Sequence, residues 1–480
     1  MKNFTLAMAS AALLLGASTP VNAENNRLEM QKVVQTLCKR FAHGAKPVRL
    51  ISADNDPEGL LRQSARRTET GAIWCPAHDV IYDYKNNVWV DTAEDYFTYD
   101  KRGNILTDIQ TDNSSQWLKI VYTYNAKNQL VERHYYSSED GTNYSDYVRN
   151  TYTYDDVTGM QLSNVMDRYD ASSNSWKPYT GTKVEITRNA NGYIEQVSDF
   201  SRSYTSTTWT ETNRVTFAYV AGSAAPVSAE AFEANYSGTL ESAGKFSDMV
   251  WTRCNGQLTD GFGPSWATDD NALKSATATY TDGTNKQVVK ISGTVKGADD
   301  YQFVLTDETD KSFISVYSSE TIDENGSVKY GAYAYYNQNN GDAEVTPSQL
   351  YYSQYQQDDY NSHGDMTQTA SWQSPNYGED AVLYSGTKYD YEYNGAHGEM
   401  TQMIQNTFDT TTNAFQPIVK YTYDTFVDVT TNAIKRIGQD DANDKTEVYD
   451  IRGMKVADNT DGLHGVYIIK ENGRTVKRSL

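Results

Sequence analysis

Cysteine and long apolar runs are scarce in this sequence of 480 residues. Its three cysteines, Cys38, Cys75 and Cys254, are too few for a disulfide framework. An oxidising export route would still permit one bridge, which we predict between Cys38 and Cys75. No stretch after the N-terminus is apolar for long enough to form a transmembrane helix, so we expect no integral membrane segment in the mature chain.

Residues arranged for catalysis are also lacking. The chain has six histidines, and His363 and His397 each stand just before a glycine at the same place in a repeated turn. Cys75 and His78 provide two possible zinc ligands, whereas a structural zinc site needs four. No phosphate-binding loop, dinucleotide fingerprint or Gly-x-Ser-x-Gly motif occurs. We therefore predict a protein that is not an enzyme and has no cofactor; calcium stays open because many calcium sites lack a short motif.

The N-terminus carries the features of a secretory signal peptide over residues 1–23. Lys2 is followed by a short apolar run from Thr5 to Ala17, and small residues precede the cleavage point. We predict cleavage between Ala23 and Glu24. The mature chain is then secreted, or held on the outer-membrane cell surface after passage through the periplasm.

The net charge is −21 at pH 7. An acidic surface repels phosphate backbones and anionic lipids, so nucleic acid is not an expected partner.

The sequence is rich in tyrosine, with 38 residues, and many stand in a repeated Tyr-x-Tyr-Asp/Asn-x-x-Gly/Asn unit. Clear copies end their tyrosine pair at Tyr99, Tyr124, Tyr154, Tyr393 and Tyr423, with a spacing of about 30 residues. Alternation places both tyrosines on one face of a strand, and the following residues favour a turn. We predict that each unit is a β-hairpin, with the tyrosines packed inward and their hydroxyls reaching water.

Stacked hairpins predict an all-β fold: a twisted antiparallel meander or open solenoid, with a propeller as the second choice because propeller blades need more strands per repeat. An amphipathic pattern adds a short N-terminal helix over residues 28–41. The predicted segments are an N-terminal helix and cap region (24–78), hairpin repeats (79–220), degenerate repeats or a separate β-domain (221–350), further repeats (351–430), and a small β-sandwich-like tail (431–480).

Four tryptophans precede successive Tyr-x-Tyr segments at similar positions. Aromatic side chains on a sheet surface can stack on sugars and on proteins. We therefore take these residues as ligand-binding candidates: Trp89, Trp117, Trp176 and Trp209.

The repeated unit resembles the YD repeats, also called Rhs-like repeats, of bacterial surface and toxin-delivery proteins. The resemblance covers roughly residues 79–220 and 350–425, and individual copies drift from the pattern. It implies hairpins that spiral into a sheet, which in large family members closes into a shell. This chain has too few clear copies to predict such a shell.

The C-terminus resembles the sorting domain of type IX secretion. The resemblance is carried by Val448-Tyr449-Asp450-Ile451-Arg452-Gly453 and by Gly465-Val466-Tyr467-Ile468-Ile469, in which Tyr449, Asp450, Gly453, Gly465 and Tyr467 are the marker residues. It implies a Gram-negative host and the type IX machinery as a partner. The segment departs from the family by being short and by ending in Arg-Ser-Leu.

Together these features predict an exported, non-catalytic surface protein with a binding, adhesion or structural role in the bacterial envelope. A glycan or a host surface protein is the expected ligand. The alternative is a secreted hydrolase with an unrecognised carboxylate site in residues 221–350, because acidic residues are plentiful there.

Overall fold

A computed structural model of the chain describes residues 66–67, 73–112, 117–204, 206–282, 285–308, 313–336 and 350–430. It also describes the backbone of 447–449, 455–457, 466–471 and 474–479. The predicted signal cleavage at Ala23 and Glu24, the helix over 28–41, Cys38, and the marker residues Asp450, Gly453 and Gly465 lie outside these ranges. In the part that is described, no helix is long and apolar enough to cross a membrane.

Nearly all of the described chain is β-strand, as the alternation of aromatic and polar residues predicts. The first half holds β1 (Arg66–Arg67), β2 (Ile73–Lys85), β3 (Val88–Tyr99), β4 (Ile105–Asp112), β5 (Trp117–Tyr124), β6 (Leu130–Ser138), β7 (Ser145–Tyr154), β8 (Gln161–Asp170), β9 (Ser175–Arg188), β10 (Ile194–Arg202), β11 (Thr210–Tyr219), β12 (Pro226–Ala234) and β13 (Leu240–Arg253).

The second half continues with β14 (Ala272–Asp282), β15 (Asn285–Gly297), β16 (Asp300–Asp307), β17 (Phe313–Thr321), β18 (Val328–Tyr336), β19 (Leu350–Tyr360), β20 (Met366–Gln373), β21 (Val382–Glu392), β22 (Gln402–Asp409), β23 (Ala414–Asp428), β24 (Glu447–Tyr449), β25 (Lys455–Ala457), β26 (Val466–Glu471) and β27 (Arg474–Ser479). One 3₁₀ turn, Pro264–Trp266, interrupts the strands.

The sheet is closed. Each strand from β2 to β23 pairs antiparallel with its sequence neighbours, and β2 also pairs with β23, with Ile81 opposite Tyr421. This closure makes a barrel of 22 strands. The predicted open solenoid or meander is therefore wrong. Sequence repeats specify local hairpins, but closure depends on one pairing between segments far apart in the chain, for which the repeats carry no signal. The strands of residues 226–336 belong to this same sheet.

The repeated turns take the conformation that their residues favour. In the connection after β3, the Asp100 carboxylate accepts N–H bonds from Arg102 and Asn104 at 2.8 and 2.9 Å, and Gly103 has a φ of +85°. Glycine and asparagine tolerate positive φ better than other residues. The same five-residue loop begins at Asn125, Asn189, Asp323 and Asn361.

The tyrosines of the repeat face the barrel interior, as predicted, and the hydroxyls of several of them bond to backbone carbonyls instead of reaching water. The Tyr99 hydroxyl donates to the carbonyl of Pro76 at 2.6 Å, and the Tyr154 hydroxyl donates to that of Leu130 at 2.7 Å. Tyr219 and Tyr391 bond in the same way to carbonyls 25 residues earlier. A buried hydroxyl needs a partner, and the accepting carbonyls of Pro76 and Leu130 lie beside β-bulges, where the ladder of backbone bonds is interrupted.

A plug fills part of the interior. The connection after β13, residues 254–271, folds inward and buries Leu258, Phe262 and Trp266 almost completely. The Phe262 ring packs edge-on against Phe303 of β16 at 5.4 Å, and the Trp266 ring packs against Phe246 of β13 at 5.1 Å. The barrel core here is therefore made by a loop that meets three or more strands at once.

The C-terminal residues form a second, separate sheet. Its four antiparallel strands follow the order β25, β24, β26, β27. The predicted tail thus contains β-structure, in a single sheet instead of a sandwich. Tyr449 and Tyr467 lie on its strands β24 and β26.

Candidate functional site

The connections at the two ends of the barrel differ in most cases. Because neighbouring strands are antiparallel, successive connections alternate between the ends. One end holds most of the repeated Asp/Asn-x-x-Gly loops, after β3, β5, β7, β9, β17 and β19; we call it the repeat-turn rim. One further loop of this kind, at residues 235–239, lies at the opposite end, where Asn235 accepts N–H bonds from Ser237 and Thr239. The other end holds the connections 86–87, 139–144, 171–174, 203–209, 235–239, 374–381 and 410–413; we call it the tyrosine rim.

All five exposed tyrosines of the described chain lie at the tyrosine rim. Tyr204, Tyr236 and Tyr377 stand in its connections, and Tyr147 and Tyr384 are the third residues of β7 and β21. The exposed large side chains at the repeat-turn rim are aliphatic: Val157, Val220, Val227, Val250 and Ile322. The ends therefore differ in chemistry as well as in loop type.

The tyrosine rim combines rigid aromatic contacts with small polar residues. The Tyr377 ring stacks on Tyr351 at 4.5 Å, and Tyr204 meets Tyr179 edge-on at 4.8 Å, so each exposed ring is supported from one side. The surrounding connections are mostly serine, threonine, asparagine and glycine. Tyrosine in such loops offers a large amphipathic contact area at low cost in side-chain entropy, which is also the chemistry of antibody combining sites.

The four predicted tryptophans lie on the outer wall near this same rim, but each is half-buried. Arg149 covers the Trp176 ring at 4.6 Å, and Lys420 lies 5.2 Å from the ring of Trp89. Arg202 and Lys183 both approach Trp209, while Trp117 packs under Gly141 of the next connection. These rings pack against neighbouring cationic side chains and leave little free surface, so the structure gives no direct support to them as ligand-binding residues.

Sequence reasoning missed the exposed tyrosines because they stand outside the Tyr-x-Tyr unit. A signal for them exists in the sequence. Tyr204 and Tyr377 each lie in a Ser/Asn/Gly-rich connection, and Tyr236 is the second residue of an Asn-x-x-Gly loop that no Tyr-x-Tyr pair precedes. In a strand, alternation directs a tyrosine toward one face of the sheet. A tyrosine in a loop has no such face, so we expect it at the surface.

Along β13 and β15, exposed lysines alternate with buried apolar side chains in the middle of the strand. On β15, Lys290 is exposed between the buried Val289 and Ile291. On β13, the exposed Lys245 precedes the buried Phe246. These two strands thus present charged side chains outward and apolar side chains inward.

Among the buried carboxyl groups of the described chain, three lie on neighbouring strands and interact electrostatically. Asp79 of β2 lies directly opposite Asp95 of β3, and they are 2% and 4% exposed; Asp108 of β4 is also buried. Burial, followed by the charge of Asp95, raises the pKa of Asp79 well above its usual range, and burial raises the pKa of Asp95 to about 7. Such a pair can hold a proton between its members. Because neither group is open to solvent, a substrate cannot reach them in this structure.

The other acids and histidines singled out by the sequence make local contacts that stabilise turns and strands. His363 and His397 lie in turns before Gly364 and Gly398, as predicted, and their rings stack on Tyr393 and Trp74. Acids of the predicted hydrolase segment bond locally: Asp260 accepts the N–H of Ser265, Asp307 accepts from Gln287, and Glu230 accepts from Ser242.

Cys75 is a buried free thiol on β2, and burial raises its pKa to about 12, which makes it a poor nucleophile. Its predicted bridge to Cys38 falls outside the described residues.

Within the described ranges, no group of three or more His, Cys, Asp or Glu side chains is placed to hold a metal ion. The prediction that calcium could bind therefore has no located site among these residues.

No protein-family model matches the chain, and no curated protein matches it. A solved porin-like protein from Bacteroides uniformis is similar at 10% identity, covering 73% of this chain and 96% of its own, with a TM-score of 0.20. The Tc holotoxin pore of Photorhabdus luminescens is similar at 12% identity, covering 92% of this chain and 24% of its own, with a TM-score of 0.19. At such scores neither likeness supports an argument about fold or function.

Proposed function

We propose that this chain is an exported, non-enzymatic binding protein of the bacterial cell surface, and that the tyrosine rim contacts its ligand. The observation that carries the proposal is the segregation of all five exposed tyrosines of the described chain at one end of the barrel. Exposed aromatic side chains gathered in one place are typical of binding surfaces, whereas scattered ones are ordinary.

The outward lysines of β13 and β15 support a location in water at the cell surface. Barrels that span an outer membrane carry an apolar band outside and polar side chains inside. Here Lys245 and Lys290 point outward while Phe246 and Ile291 are buried within. A lysine at mid-bilayer would cost about 2–4 kcal/mol. We therefore favour a barrel that stands outside the bilayer over one that spans it.

The route of export remains part of the proposal. The signal-peptide pattern over residues 1–23 supports passage to the periplasm, and the resemblance of the C-terminus supports type IX secretion and surface attachment. Cell fractionation with terminal mass spectrometry tests both steps. We expect a new N-terminus at Glu24 and loss of the tail from surface-bound protein; an intact C-terminus on a periplasmic protein would exclude the type IX route.

The binding role is tested with labelled mature protein on a panel of glycans, bacterial envelopes and host-cell surfaces. The test variant combines Tyr204→Ser, Tyr236→Ser and Tyr377→Ser. The matched control combines Val157→Ser, Val220→Ser and Ile322→Ser, which also removes three exposed large side chains but from the repeat-turn rim. We expect the tyrosine variant to lose at least about tenfold in affinity, because buried aromatic anchors dominate most interfaces.

Equal binding by the two variants would reject the tyrosine rim as the contact surface. Turnover of a polysaccharide or peptide panel that is lost when Asp260 and Asp307 are replaced would instead support the hydrolase alternative.

A further inference from the structure

In the seven connections of the tyrosine rim that the structure describes, every charged residue is acidic, while the exposed Lys85, which ends β2 beside the connection 86–87, pairs with Asp83. The seven described connections contain Glu139, Asp140, Glu379 and Asp380, all exposed, and no lysine or arginine. The connections of the repeat-turn rim include Lys101, Arg102 and Lys127 among their acids. A binding surface with more carboxylates than cationic groups repels anionic glycans and nucleic acids and attracts cations.

Several acids of this rim are held in their ionised form by the turns that contain them. The Asp140 carboxylate accepts N–H bonds from Thr142 and Asn143 at 2.8 Å each. These bonds hold the pKa of Asp140 well below its usual range. Hydroxyls of the following turn residues lower the pKa of Asp170 to about 2, and turn bonds also lower that of Asp409. The rim therefore keeps its negative charge in acidic surroundings.

The exposed tyrosines supply the second element that a cationic ligand needs. The Tyr236 ring is fully exposed, and Tyr377 has one face on Tyr351 while its residue stays 55% exposed. Glu379 and Asp380 follow Tyr377 within the same connection, so carboxylates and an aromatic face occur together. Ammonium and guanidinium groups bind aromatic faces, and the outer wall already uses this contact between Arg149 and Trp176.

We propose that the tyrosine rim binds a lysine- and arginine-rich segment of a partner protein. This inference rests on the proposed function and adds the chemical class of the ligand. The carboxylates attract the segment, and its cationic side chains then pack on the tyrosine faces. A neutral glycan would use the aromatic faces alone and would leave the excess carboxylates without a role.

The experiment measures binding of a fluorescent peptide of alternating lysine, arginine and Gly-Ser spacers to the full mature protein by anisotropy. A peptide with glutamate in place of the basic residues is the reference ligand. The test variants are Glu379→Gln with Asp380→Asn, and Tyr377→Ser. The matched control is Asp269→Asn with Asp270→Asn, two adjacent exposed carboxylates beside the repeat-turn rim. This control removes the same charge and reports non-specific attraction to an acidic protein.

We expect the basic peptide to bind and the acidic peptide not to bind. Each test variant should weaken binding about fivefold, since a cation–π or close ionic contact is worth roughly that factor. The Asp269 and Asp270 variant should stay within about twofold, and affinity should fall as salt is raised. Equal losses in test and control variants would overturn the proposal, because the attraction would then be a property of net charge alone.

The two proposals fail in different ways. The ligand is a glycan if the triple tyrosine variant loses binding to a panel glycan, the Glu379→Gln with Asp380→Asn variant binds that glycan normally, and the unsubstituted protein does not bind the basic peptide. The cationic-segment inference is then wrong and the rim remains the binding surface. If neither ligand class responds to the tyrosine substitutions, the rim itself is rejected.

Discussion

The repeat-turn rim and the tyrosine rim are built on the same strands, yet their residues do opposite things. At the repeat-turn rim, Asp100 and Gly103 satisfy the backbone of their own loop, and the plug turns inward to bury Trp266. At the tyrosine rim, Tyr236 and Tyr377 point into solvent. The side chains named at the first end stabilise the fold, whereas at the second end Tyr236 is fully exposed and Tyr377 is 55% exposed. Substitutions that reduce stability should therefore separate from those that reduce binding.

The plug gives the largest expected effect on stability. Trp266→Ala should lower the free energy of unfolding by about 3–5 kcal/mol, because it empties a fully buried site against Phe246 and removes the indole bond to the Asp260 carbonyl. Chemical denaturation followed by tyrosine fluorescence measures this change. The folded fraction should still bind ligand normally; a binding loss equal to that of the tyrosine variants would break the separation between the two ends.

The buried acids should make stability depend on pH in the direction opposite to the rim acids. The folded pKa values of Asp79 and Asp95 are raised, so the folded state binds more protons than the unfolded state. The free energy of unfolding should fall as pH rises from about 4 to about 7, by up to a few kcal/mol at about 1.4 kcal/mol per pKa unit.

Replacing both residues, Asp79→Asn with Asp95→Asn, should flatten this slope in denaturation curves measured across that range. The Asp140 carboxylate, whose pKa is lowered, gives a contribution that is present at neutral pH and is lost only in strong acid. An unchanged slope in the double variant would show that other groups carry the pH dependence.

A glycine in a repeated turn tests the structural role of that rim. Gly192 has a φ of +82°, and an added Cβ would meet nothing within 4 Å, so conformation alone decides the cost. Gly192→Ala should destabilise by about 1–2 kcal/mol. Gly192→Asn should cost less, because Asn128 holds the equivalent position with a φ of +66°. Thermal unfolding of the two variants compares them; equal losses would contradict the conformational explanation.

The smallest expected effect on stability comes from removing one tyrosine hydroxyl, either in the barrel interior or at the tyrosine rim. Tyr99→Phe removes the bond to the Pro76 carbonyl and should cost about 1 kcal/mol of stability. Tyr236→Phe removes a hydroxyl from a fully exposed side chain and should change stability by less than about 0.5 kcal/mol. Denaturant midpoints measured side by side suffice, and a larger loss for Tyr236→Phe would mean that this tyrosine is part of the fold.

Local chemistry made part of this structure predictable from the sequence. The Asp/Asn-x-x-Gly loops, the inward tyrosines and the β-rich texture follow from turn preferences and period-two alternation, which act within a few residues. Closure through Ile81 and Tyr421 could not be predicted, because it depends on a pairing across most of the chain. The plug could not be predicted either, because Phe262 and Trp266 lie in a Gly-rich stretch with no periodicity.

The candidate site shows the same limit. Trp89 and Trp176 drew attention as large aromatic residues in a regular pattern, and that regularity reflects their packing in the wall. Tyr236 stands in an Asn-x-x-Gly loop, but no Tyr-x-Tyr pair precedes that loop, so the repeat pattern did not single it out. Exposure at a rim depends on which end of a strand a loop occupies, and this became visible only when the strand pairings were known.

Hydroxyl-radical footprinting of the mature protein, free and bound to the ligand that the panel identifies, tests the role of the two rims most directly. If the tyrosine rim is the contact surface, oxidation of Tyr204, Tyr236 and Tyr377 falls several-fold on binding while Met160 and His363 of the repeat-turn rim are modified at unchanged rates. Protection of Met160 and His363 with the three tyrosines still fully reactive would contradict the account.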